Sequence, residues 1–130
     1  MKNELIRLAT EAANNAYSRY SGFKVGAALL CKNGKIYTGC NIENSSFTPT
    51  VCAERVAIFK AVSEGVTDFV SIAIVGGREE IGSEICYPCG VCRQVMTEFC
   101  DADTFKIILP HKDGTDELFL KDLLPHGFKL

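Results

Sequence analysis

Two thiols three positions apart, in Pro88-Cys89-Gly90-Val91-Cys92, stand where a loop gives way to a helical stretch. At such a junction the helix dipole and the free backbone N–H groups of the first turn favour the thiolate form. A third thiol opens another helical stretch, Cys52-Ala53-Glu54-Arg55, with a carboxylate two residues on and a guanidinium next to it. Cys52, Cys89 and Cys92 are therefore candidate metal ligands. Three protein ligands leave one tetrahedral position open, which is the pattern of a catalytic zinc site. One alternative stays open. Cys86-Tyr87-Pro88-Cys89 is itself a C-x-x-C, and Cys86 with the other three would close a structural four-cysteine site. Such a site has no use for Glu54.

The rest of the chain limits what can surround these residues. It has 130 residues, 47% of them hydrophobic, which fits one core and predicts a single domain over residues 1–130. Its seven cysteines are an odd number, and no apolar export segment precedes them. A reducing cytoplasm with thiolate ligands is the expectation, and no run is apolar enough to span a bilayer. A net charge of −2 with no Lys/Arg block gives little attraction for a polyanion. The expected substrate is small, with neither nucleic acid nor membrane as partner.

Leu5, Leu8, Ala9, Ala12, Ala13, Ala16 and Tyr17 recur at three- and four-residue intervals and predict a helix from about Asn3 to Tyr17. Val25 to Cys31 and Ile36 to Cys40 read as antiparallel strands joined by a tight turn in which Asn33 and Gly34 take positive φ. Asn44 to Val51 is a loop, and a second helix begins near Cys52 and ends before Gly65. Phe69 to Val75 is a buried strand, Cys89 to Phe99 a third helix, and Phe105 to Leu109 a fourth strand. Pro110 to Asp116 reads as a turn, followed at once by a fifth short strand from Glu117 to Leu120. There is no room for a crossover helix between the last two strands, so they must be antiparallel. Lys121 to Leu124 reads as a last helical turn. Cys31, Cys40 and Cys100 lie on apolar patterns as small core residues. His111 and His126 sit in turns, expected solvated.

C-A-E-R at Cys52 to Arg55, with P-C-G-V-C-R-Q at Pro88 to Gln94, resembles the zinc signature of the cytidine deaminases in their small, all-cysteine, tetrameric form. Zinc deaminases use a three-cysteine or His/Cys/Cys site with a glutamate that is not a ligand. The resemblance extends through S-G-F-K-V-G-A-A-L (Ser21 to Leu29), G-C-N-I-E-N (Gly39 to Asn44) and the L-L-P ending at Pro125. It implies an α/β fold, a three-layer α-β-α sandwich on a mixed five-stranded sheet. It also implies one Zn²⁺ per chain that activates a water for attack on C4 of cytosine, and the conversion of cytidine and 2′-deoxycytidine to uridine and 2′-deoxyuridine with loss of ammonia.

By the same resemblance Glu54 moves the protons and Arg55 donates to ligand sulfurs. This offsets the net negative charge of three thiolates on a divalent ion. Gln94, and with it Arg93, are candidates to support the ligands from outside. Asn41 and Glu43, placed on one face by strand alternation, match the family's ribose-binding pair. Phe23 and Ala53 match substrate-facing positions, and Phe128 reaches in from a neighbouring subunit of a homotetramer. Pro49-Thr50-Val51 and Tyr87 depart from the family's common pattern and bear on loop shape and substrate fit. Two alternatives stand beside this reading: a blasticidin S-type deaminase of another amino-pyrimidine, and a non-catalytic zinc module.

Overall fold

The computed structural model describes residues 1–130. Its elements run α1 (Lys2–Ala13), β1 (Lys24–Cys31), β2 (Ile36–Cys40), α2 (Ala53–Ser63), β3 (Phe69–Gly77), α3 (Gly90–Phe99), β4 (Lys106–His111), β5 (Gly114–Phe119) and α4 (Leu120–Leu123). The strands form one sheet in the order β2-β1-β3-β4-β5. Only β3 and β4 are parallel, and α3 lies in the connection between them. The other three pairings, β4 with β5 included, are antiparallel.

Strand alternation sends side chains to two separate cores. Leu29, Ile72, Ile74, Ile107 and Leu109 face α2 and α3, where they meet Ala57, Ile58, Cys92 and Met96. Ala28, Ala73, Val75 and Ile108 face the other way and pack against Leu5, Ala9 and Ala13 of α1. The molecule is thus the expected three-layer α-β-α sandwich. Each fully buried branched side chain contributes about 1.5–3 kcal/mol by leaving water.

Four boundaries differ from the sequence expectation, each for a local reason. Helix α1 stops at Ala13 instead of continuing to Tyr17, because the poor helix formers Asn14 and Asn15 follow and Tyr17 finds other partners. The Tyr17 N–H donates to Asn41 O (3.0 Å) and its carbonyl accepts from Glu43 N–H (2.8 Å). The β1–β2 hairpin forms, but only Gly34 takes positive φ (88°). Cys31 accepts from Gly34 N–H and donates to Lys35 O, which makes a three-residue loop with glycine in the left-handed position. Strand β4 runs through Pro110, and β5 starts at Gly114, so the turn shrinks to Lys112 and Asp113. Proline is tolerated there because pairing with β3 has already ended at Ile108. Finally, Cys52 and Cys89 are not the first residues of α2 and α3 but their extended N-caps.

One close approach places the second helix. At Gly39 of β2 an added Cβ would collide with the Ala53 carbonyl, stand 2.7 Å from the Ala57 nitrogen and 2.9 Å from Val56 Cβ. The first turn of α2 therefore lies directly on the β2 backbone, and only glycine leaves room. No helix of the molecule is long and apolar enough to cross a membrane. Gly39→Ala is expected to cost about 1–3 kcal/mol by overpacking. A thermal unfolding midpoint several degrees below that of the unaltered protein is the expected reading, and an unchanged midpoint would show that α2 can shift freely.

Candidate active site

The N-caps of α2 and α3 point at the same spot. Cys52 Sγ lies 3.7 Å from Cys89 Sγ, and Cys89 Sγ lies 3.6 Å from Cys92 Sγ. All three sulfurs fall within 4.8 Å of one another. Tetrahedral zinc with bonds of about 2.3 Å would put its sulfurs about 3.8 Å apart, so the trio is already spaced as three corners of such a site. The donor set is soft and N-cap geometry favours thiolates, which suits zinc. Cys86 is not in this group, and the closed four-cysteine arrangement does not form.

The trio has a polar surround that differs from sulfur to sulfur. Arg55 Nη2 donates to Cys52 Sγ at 3.4 Å, while Arg55 Nε is buried without any partner. The half-buried side chain thus sets one guanidinium nitrogen against the sulfur cluster. Cys92 beside it and the Arg55 guanidinium hold the Cys52 thiol well below its ordinary value, against burial. The same contact with Cys52, together with burial, pushes Cys92 up. The two behave as one coupled pair, since adjacent thiols resist losing both protons unless a cation joins them.

Glu54, one position along α2 from the buried Ala53, is only 3% exposed. Burial pushes its carboxyl up to about 7, with the neighbouring Cys52 adding to the effect. A carboxyl poised near neutrality can both accept and release a proton under ordinary conditions. It opens on a cavity of about 160 Å³ whose lining includes Val25, Asn41, Glu43, Cys52, Ala53 and Cys89. Thr50, Val51, Cys86 and Tyr87 complete the wall, and Cys86 is pushed up to about 12 by burial and by the Glu54 carboxylate. Of these four, Tyr87 and the Thr50-Val51 pair carried a signal in the sequence only as departures from the family pattern.

Asn41 and Glu43 line the cavity, yet both also hold the chain before β1. Asn41 Oδ1 accepts from Val25 N–H (2.9 Å) and its Nδ2 donates to Phe23 O (2.8 Å). Glu43 accepts from the Tyr20 and Ser21 amides (2.9 and 3.1 Å) and from the Ser21 hydroxyl. Those bonds, the hydroxyl first, hold its carboxyl below the usual range. Phe23 packs against Gly76 beside Cys86, under the Arg78 guanidinium at 5.7 Å, and is not part of the cavity wall. Phe128 is 66% exposed and far from lining its own chain's cavity. Gln94 does not reach the sulfurs: its Nε2 donates to Phe128 O at 3.0 Å.

Comparison with known proteins agrees with this geometry. Residues 1–107 match the family described as the cytidine and deoxycytidylate deaminase zinc-binding region. A cytidine deaminase of Halalkalibacterium halodurans is 49% identical over 95% of this chain and 91% of its own. One of Sporosarcina psychrophila is 46% identical over 96% of this chain and 89% of its own. The crystal structure of cytidine deaminase from Burkholderia pseudomallei superposes with a TM-score of 0.89 at 40% identity, covering 98% of this chain and 99% of that one. A blasticidin-S deaminase of Bacillus cereus shares less, 35% identity over 81% of this chain and 76% of its own. With the match running over most of its length and through the three-thiol centre, this chain belongs to the cytidine deaminase family.

Proposed function

We propose that this protein hydrolyses cytidine and 2′-deoxycytidine to uridine and 2′-deoxyuridine with release of ammonia, the reaction of pyrimidine salvage. The single observation that carries the reading is the buried Glu54 carboxyl in one small cavity with Cys52 and Cys89, two of the three clustered sulfurs. Cys52, Cys89 and Cys92 would hold one zinc, which when bound supplies a Lewis acid that eases deprotonation of water at neutral pH.

The protein's own groups then do the rest. Glu54 takes a proton from the attacking water and delivers it to N3 as the new C4–O bond forms. It next carries the second proton to the amino group, so that the C4–N bond breaks with ammonia leaving. The raised pKa of this carboxyl suits a group that must be base first and acid later. Arg55 keeps a positive charge against Cys52 and offsets the surplus negative charge of three thiolates.

Asn41 and Glu43 would receive the sugar hydroxyls. Each retains capacity for this: an amide oxygen accepts twice and its nitrogen donates twice, and a carboxylate accepts about four bonds. Ala53 lines the cavity beside Glu54, and Phe23, just before β1 and outside the cavity wall, would flank the approach of the substrate. A carboxylate on the sugar side disfavours a phosphorylated substrate and supports a free nucleoside. Tyr20, Phe47, Tyr87 and Phe128 leave aromatic surface exposed, three of them around the cavity and its neighbour. Such surface supports a homotetramer in which Phe128 of a neighbouring chain covers each site. The 130 residues would act as one domain in the cytoplasm, where thiols stay reduced.

Purified protein should contain one zinc per chain and convert both nucleosides, followed as a change in ultraviolet absorbance. A zinc-loaded protein inert toward every cytosine nucleoside would overturn the assignment. Glu54→Gln should keep its zinc and lose about 10²- to 10⁴-fold in turnover. Near-normal turnover in that variant would remove Glu54 from the proton path. Cys86→Ala is expected to leave zinc stoichiometry unchanged by elemental analysis, whereas Cys89→Ala should lose the metal. The reverse pattern would require the ligand set to be redrawn.

A further inference from the structure

Of the three sulfurs, Cys89 is the one that the fold secures least. Cys92 is completely buried on α3, and Cys52 has Arg55 against it. Cys89 is exposed, follows a long loop, and caps α3 without a capping hydrogen bond from its own side chain. Its orientation must come from its neighbours.

Arg93 supplies it. Its Nε donates to Pro88 O at 2.7 Å and its Nη1 donates to Leu123 O at 2.8 Å, at the end of α4. Pro88 is itself fully buried, so its ring is held by the core and its carbonyl by Arg93. A peptide unit is planar and trans, so fixing the Pro88 carbonyl also fixes the plane from which Cys89 departs. The Arg93 backbone N–H donates to Cys89 O at 2.9 Å, which ties down the carbonyl on the other side of the same residue. One residue therefore holds both peptide groups that flank the Cys89 Cα.

The residue type is informative as well. A cation in the first turn of a helix opposes the helix dipole. Arg93 occupies that position on α3, whose first turn has no acidic residue to offset it. Its cost is answered by two carbonyls, one from the metal loop and one from the chain's C-terminal segment. A rigid guanidinium fork presents donors from separate nitrogens at fixed directions that match two such acceptors, whereas a lysine ammonium offers all of its donors from a single point on a flexible stem.

We propose that Arg93 is the positioning residue of the metal loop, bridging Pro88 to Leu123 so that the C-terminal segment sets the placement of Cys89. This inference rests on the zinc deaminase reading given above. The test compares zinc-loaded protein with its Arg93→Lys and Arg93→Met variants. Three quantities are read: the rate of zinc transfer to a chromophoric chelator, kcat and KM for cytidine, and amide hydrogen exchange of the peptide spanning Tyr87 to Val95. Arg93→Lys should release zinc about 10- to 100-fold faster, the range for groups that orient metal ligands. Its kcat should fall while KM stays within about twofold, and exchange in that peptide should quicken.

Wild-type zinc release and kcat in Arg93→Lys would overturn the proposal and leave Arg93 as a fastener of the C-terminal segment. If Arg93→Met fails to fold, Arg93→Lys alone decides. If the unaltered protein holds zinc yet turns over no nucleoside, the enzyme reading fails by itself, while zinc release and amide exchange still judge the bridge.

Discussion

Three thiolates at one point repel one another, and the whole architecture is arranged to hold them there. Two helix N-termini, α2 and α3, converge so that their free N–H groups and dipoles face the sulfurs. The half-buried Arg55 adds a full positive charge at Cys52. Even so, Cys52 and Cys92 shift in opposite directions, because one of the pair keeps the proton that the other gives up. A divalent cation removes that conflict, so the protein presents a centre whose electrostatics are completed by metal.

Convergence of the helices depends in turn on the sheet. The parallel pairing of β3 with β4 makes α3 a crossover connection and places it on the same face as α2. The absence of a side chain at Gly39 lets α2 sit on the β2 backbone. Small residues, Ala53, Ala57 and Ala61, continue that contact along the helix. Close seating explains how a glutamate one residue from Ala53 becomes buried without leaving the cavity wall.

The polar residues of the cavity each serve two structures. Asn41 and Glu43 line the site and also tie the segment from Tyr20 to Val25 to the end of β2. Loss of either would disturb the wall as well as any sugar contact. Arg93 and Gln94 are coupled to the C-terminal segment in the same way, through Leu123 and Phe128. Adjacent positions on α3 thus link the metal loop to the tail.

Much of this was legible in the residues themselves. The helical period of α1, the apolar runs of the strands and the turn residues between them gave the order of the elements, because such signals act over a few residues. The short run between Pro110 and Glu117 excluded a crossover, since a parallel return cannot be made in that length. Residue chemistry singled out the three thiols, which the fold brings together, and offered Glu54 beside them as a candidate proton carrier. Distances between remote segments were beyond such rules. Whether Cys86 joins the cluster is decided by how its loop lies against Gly76, and it stays outside. Gln94 was expected near the ligands by position alone, but its direction on α3 takes it to Phe128 O. The bridge from Pro88 through Arg93 to Leu123 exists only once the tail has folded back on α3. Local spacing determined the chemistry of this centre, and the seating of helices and tail on the sheet decided which atoms meet there.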